Sequence, residues 1–74
     1  MRDPKRIKPM LDMVRTTWRR NPDVRLGQLL MNCEEGDDLY FIEDAELFRR
    51  LDKMHRIGRL EPPTPMPAIL NDHE

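Results

Sequence analysis

The sequence predicts an all-α fold: a small three-helix domain over residues 1–60, followed by a Pro-rich, disordered C-terminal tail over 61–74. Three observations predict it. Apolar residues recur at helical spacing in three stretches, side-chain acceptors and prolines stand where those stretches begin and stop, and four prolines fall within residues 62–67.

The first helix is expected at about 9–20. Asp3-Pro4 is a helix-start signal, an acceptor followed by a residue whose missing N–H falls where no intrahelical bond is made. Pro9 interrupts that reading, because a proline inside a helix loses a backbone bond, so residues 3–8 form a separate turn or the helix bends there. Ile7, Met10, Leu11, Val14 and Trp18 recur at helical spacing and predict a core face.

The stretch WRRNPDVRLGQLL, residues 18–30, then turns the chain. Asn21-Pro22 stops the first helix, since a residue before proline is pushed out of the α region. Asp23 is expected to cap the second helix by accepting from the N–H groups of Arg25 and Leu26, with Leu26, Leu29, Leu30 and Cys33 on one side. Gly27, costly in a helix interior, predicts a close helix–helix approach. Beyond an acidic loop at 34–38, the four-residue run Leu39 to Ile42 is compatible with an extended or a helical turn. Asp44 is expected to cap a third helix over about 45–57, with Leu47, Phe48, Leu51 and Met54 inward and Gly58 as its stop.

Composition limits the functions. A core of roughly 60 residues buries only about 60% of its unfolded surface, which leaves little room for a deep substrate cavity. The single cysteine excludes an intrachain disulfide, and a reducing, cytoplasmic setting is expected. The charged, proline-interrupted start MRDPKRIKPM and the absence of any long apolar run argue against export and against membrane spanning. Net charge is −1, but residues 1–33 carry 8 basic against 3 acidic side chains and residues 34–74 carry 5 against 11. Such asymmetry steers a charged partner or pairs the halves across the fold.

Candidate sites are few. The carboxylates crowded into 34–46 lack the spacing of a calcium loop and fit a solvated loop and helix start. His55 and His73 are too isolated for a ligand set, there is no serine, and Cys33 on the leucine face predicts a buried, inert thiol. No convergent nucleophile–base or metal set appears, so neither catalysis nor a cofactor is expected. Arg49, Lys53 and Arg56 share a face of the third helix and are the candidate nucleic-acid contacts. A helix-turn-helix is disfavoured, because roughly ten acidic-rich residues separate the second and third helices where the usual turn has three or four. In the tail, Met66, Ile69 and Leu70 are the candidate protein contacts, presented by an extended proline-held backbone.

The pattern W-x3-P-D-x2-L-x-Q-L/F-L, carried by Trp18, Pro22, Asp23, Leu26, Gln28, Leu29 and Leu30, resembles the YihD-like family of short bacterial proteins. MRDPKRI, YFIED and the following EL are similar to segments of short bacterial and phage-encoded relatives, so the resemblance spans about residues 1–51. It implies no reaction, cofactor or catalytic residue. The expected function is therefore binding of a protein partner, with nucleic-acid binding through the basic helix face as the alternative and no small-molecule substrate.

Overall fold

Asp3 and Pro4 start the helical chain as their chemistry requires. The Asp3 carboxylate accepts from the N–H of Lys5 at 2.9 Å, and Pro4 opens a 3-10 turn, Pro4–Arg6, that runs directly into α1, Ile7–Arg20. The computed structural model describes residues 2–57 and 64–71. In these, α2 spans Leu26–Met31, a 3-10 turn Leu39–Phe41 precedes α3 at Asp44–Arg56, and a last 3-10 turn covers Ala68–Asn71. The described residues contain no strand.

Helix α1 begins two residues earlier than its sequence predicts because of where Pro9 falls. Pro9 is the third residue of α1, within the first turn, where backbone N–H groups have no intrahelical carbonyl to bond. The proline therefore costs α1 no hydrogen bond.

α1 packs against α3, and the face it buries is only partly the one expected. Met10, Met13 and Thr17 point inward with Val14 half-buried, whereas Ile7, Leu11 and Trp18 remain exposed. The two strips are neighbours on one cylinder and share Met10 and Val14, so periodicity does not choose between them. The inward strip offers two flexible methionines that fill the irregular space above α3. It also holds Thr17, whose hydroxyl donates to the Leu51 carbonyl of α3 at 3.3 Å. Phe48 and Leu51 face it from α3, with Cys33 and Leu70 completing the core. Leu47, Met54, Ala45 and Leu39 pack at its edge.

Leu39 settles the short apolar run between the loop and α3. It anchors a 3-10 turn in which the Asp38 carboxylate accepts from the Tyr40 N–H at 3.0 Å, and Ile42 leaves in an extended conformation. Asp44 is not a cap. It is the first helical residue of α3 and accepts from the Arg6 guanidinium, while Glu43 holds the cap position without a side-chain cap bond. Arg2 pairs with Glu43 at 2.8 Å, so the chain's first turn is clipped to the start of α3. Gly58, the expected stop of α3, lies outside the described residues.

Residues 64–71 belong to the same core. The Asp52 carboxylate, buried on α3, accepts from the Thr64 hydroxyl at 2.7 Å and from the Thr64 N–H at 3.2 Å. Beyond this latch the prolines carry Met66 and Ile69 to the core edge and Leu70, 5% exposed, into it. Over 64–71, part of the stretch expected as a tail from residue 61, a proline-held strap lays apolar side chains against a core that three short helices leave open. Residues 61–63 and 72–74 lie outside the described residues.

Gly27 marks no close approach. A methyl group placed on its Cα meets nothing within 4 Å, and the residue sits exposed in the first turn of α2. Gly27→Ala should therefore stabilise the fold by about 0.4–1 kcal/mol, chiefly by restricting the unfolded chain, which a denaturant midpoint will read.

Candidate functional site

The corner between α1 and α2 is built from Asn21 outward. Its backbone N–H bonds the Trp18 carbonyl at 2.9 Å and its side-chain amide donates to the Thr17 carbonyl at 3.0 Å, which satisfies two of the free acceptors at the end of α1. The Asn21 carbonyl accepts from the Val24 N–H at 3.1 Å, closing the turn over Pro22 and Asp23. The Trp18 indole N–H then donates to the Val24 carbonyl at 2.7 Å. Asp23 does not cap α2. The helix starts at Leu26, and Gln28 reaches back to accept from the Arg25 N–H at 3.2 Å. Asp23, two residues before the Arg25 cap position, is left exposed on the turn.

This closure turns the second apolar strip of α1 outward beside α2. Leu11, Val14, Trp18, Pro22 and Leu26 line an open groove of about 560 Å³ with Arg15 and Arg19 among its walls. Leu11 is 61% exposed and Trp18 37% exposed. Trp18 is thus a wall of the groove with its polar edge tied to the corner, as suits a side chain with an apolar body and one donor. Trp18→Ala should cost about 1–2 kcal/mol, from one hydrogen bond and a half-covered ring, well short of the 3–5 kcal/mol of a buried tryptophan. Asp23→Ala, with no cap to lose, should stay within about 0.5 kcal/mol of the parent. Thermal melts of the two variants check both values.

A second exposed feature lies across the sequence from the groove. Tyr40 is 85% exposed and Phe41 75% exposed, their rings edge to face with centroids 4.9 Å apart. They project from a stretch, residues 34–44, with six acidic residues and no basic one. Arg50 of α3 holds the base of this loop. Its guanidinium donates to both Asp37 oxygens at 2.9 and 2.7 Å, to Glu46 at 2.9 Å and to the Cys33 carbonyl at 3.0 Å. Those hydrogen bonds pull the Asp37 carboxyl down to about 2. The clip therefore holds above the ordinary carboxylate pKa of about 4 and is lost as pH falls through about 2. Gly36, at φ 83°, supplies the left-handed residue that the tight loop needs.

The residues singled out in the sequence are distributed as follows. Met66, Ile69 and Leu70 come together, but on the core, so Leu70 is unavailable to a partner unless the strap lifts. Arg49, Lys53 and Arg56 do line one shallow groove, shared with Glu35, Glu46, Asp52 and Thr64. Arg49 pairs with Glu46 and Arg56 with Asp52, the latter at 3.0 Å. Cys33 is buried, and burial pushes its thiol pKa up, away from the nucleophilic thiolate. No group of three or more metal-ligating side chains is present among the described residues. Sequence reasoning missed Asp52, Arg50 and the Tyr40–Phe41 pair. Adjacent aromatics inside an acidic run were a readable signal for that pair, while Asp52 and Arg50 act through partners 12 and 13 positions away along the chain.

No family model matches the chain. No solved structure matches it. It is similar to the F-box protein YDR131C of Saccharomyces cerevisiae, 33% identical over 71 aligned positions that cover 88% of this chain. The chain spans 13% of that protein's length. Among the described residues, no helix is long and apolar enough to cross a membrane.

Proposed function

We propose that this protein is a protein-binding module, without catalytic activity of its own, whose contact surface is the groove between α1 and α2. The observation that carries this reading is the second apolar strip of α1, left uncovered on an ordered helix beside Pro22 and Leu26 and flanked by two arginines. Contiguous apolar surface with aromatic and arginine members is the composition of interface centres. A small domain that needs its apolar residues for folding keeps such a strip in water at a cost in stability. The same corner accounts for the pattern shared with YihD-like proteins. Trp18 closes it, Pro22 turns it, Gln28 caps the next helix and Leu29 is buried beneath, so membership of that family, a part of this proposal, amounts to sharing this groove. The single buried cysteine supports a reducing, cytoplasmic setting.

Nucleic-acid binding is the weaker reading, because Arg49, Lys53 and Arg56 stand among carboxylates that phosphate would repel. The test pairs two measurements on the parent and on Leu11→Glu, a substitution at an exposed position. Affinity capture from the native cell, followed by binding of the purified partner, should succeed with the parent and fail with the equally stable variant. Titration with duplex DNA and single-stranded RNA at low salt should show no steeply salt-dependent binding. Equal partner binding by both proteins, or tight nucleic-acid binding lost on changing Arg49, Lys53 and Arg56, would overturn the proposal.

A further inference from the structure

Resting on the reading of the groove as a protein-contact surface, we propose that one partner it accepts is a second copy of this chain, whose acidic Tyr40–Phe41 turn docks into it.

Three observations converge on this occupant. The groove is apolar with cationic walls, Arg15 and Arg19, and the stretch 15–25 carries four arginines against the single acid Asp23. The turn is its complement in both respects. Two aromatic rings, more exposed than any other large apolar side chain among the described residues, stand in a stretch with no basic residue. Neither ring joins the core cluster, against which Leu39 of the same turn packs. Aromatic rings with acidic flanks entering an apolar slot with arginine walls unite the two terms that interfaces combine, desolvated aromatic area and matched charge.

The charge division of the sequence gains a physical role from this pairing. Arg2–Glu43 and Arg6–Asp44 consume part of it inside the molecule, and Arg50 neutralises Asp37. What they leave is unlike at the two exposed features. Asp38, whose side chain accepts from the Tyr40 N–H, and Glu34 are exposed acidic residues of the same stretch as the rings, whereas Arg19 stands in the groove wall. Arg15, although engaged with Asp12 on its own helix, is more than half exposed. The contact is heterologous, turn to groove, and small, so it is a weak association that rises with concentration and falls with salt.

Sedimentation velocity over a concentration series tests it with two variants at exposed positions, Leu11→Glu in the groove and Tyr40→Ser/Phe41→Ser in the turn. The parent should self-associate, and each variant, folded by its melt, should do so at least about tenfold more weakly. An equimolar mixture should recover association, because one intact groove then meets one intact turn. A parent that stays monomeric at millimolar concentration, or a mixture that stays monomeric, would overturn the self-pairing. Failure of the underlying reading is separately visible: another protein partner lost by Leu11→Glu but retained by the turn variant keeps the groove as a contact surface, whereas one retained by both removes it.

Discussion

Phe48→Ala should leave most molecules unfolded at 25 °C. Phe48 is buried on α3 within the cluster formed by Met10 and Met13 of α1, Cys33 from beyond α2, Leu51, and Leu70 of the C-terminal strap. Truncating a buried phenylalanine costs about 3–5 kcal/mol, because the transfer free energy of the ring is lost and the cavity closes only partly. A chain of this size rarely has more than about 3–5 kcal/mol of folding free energy in total. Far-UV circular dichroism at 25 °C and urea titration measure the effect. Ile57→Ala, at an exposed position just beyond α3, should melt with the parent and serves as the control. A Phe48→Ala protein that keeps its helical signal and loses less than about 1 kcal/mol would mean that the α1–α3 contact is held by other side chains.

Asp52→Ala should cost about 2–3 kcal/mol and release residues 64–71 from the core. Its carboxylate accepts two bonds from Thr64 and one from Arg56, and hydrogen bonds to a charged acceptor contribute about 1.5–3 kcal/mol where they are sheltered. Thr64 and Arg56 can turn to water when the acceptor is removed, which keeps the cost below that of a fully buried pair. The strap then loses its anchor, and Leu70 its reason to stay buried. Amide exchange should rise selectively over 64–71 while α1 and α3 keep most of their protection. Uniform loss of protection would instead make the strap integral to global unfolding.

The same residue sets an acid limb of stability. Burial of Asp52 opposes its ionisation, but the hydrogen bonds from the Thr64 hydroxyl, the Thr64 N–H and Arg56 outweigh it, and its pKa lies below the usual carboxylate value. A carboxyl depressed in the folded state binds its proton more readily when unfolded. Its contribution is therefore complete above the unfolded value of about 4 and is lost as pH falls through the depressed one. Asp52→Asn keeps an acceptor for Thr64 but not the charge, so its stability should fall less steeply over that acid window than the parent's.

Helix existence was legible in the residues because it is a local matter. Period and proline placement located α1, the corner and α3, and the inward set Leu47, Phe48, Leu51 and Met54 is where the spacing on α3 put it. Asp23 and Asp44 show how far local rules reach. Both are good caps in the right neighbourhood, yet Gln28 serves the second helix one turn on, and Arg6, 38 positions away, engages Asp44. Part of the candidate groove was readable in the expected core face Ile7, Met10, Leu11, Val14 and Trp18, but of these only Met10 and Val14 pack on the core, while Leu11 and Trp18 turn outward as groove walls.

By itself, then, the sequence determined that the chain is helical, where it turns, that its charges divide between two halves, and that its one thiol sits among apolar residues. These follow from backbone chemistry and from the nearest three or four neighbours along a helix. Only the tertiary structure decided which of two adjacent strips α1 buries, and with it which strip lines a groove. That choice rests on what stands opposite, Leu51 with its carbonyl offered to Thr17 and a core that Leu70 arrives to complete, and neither is present in the sequence of α1. The strap was decided in the same way, for nothing local to its prolines and Met66, Ile69 and Leu70 indicates that a buried carboxylate on α3 waits for Thr64.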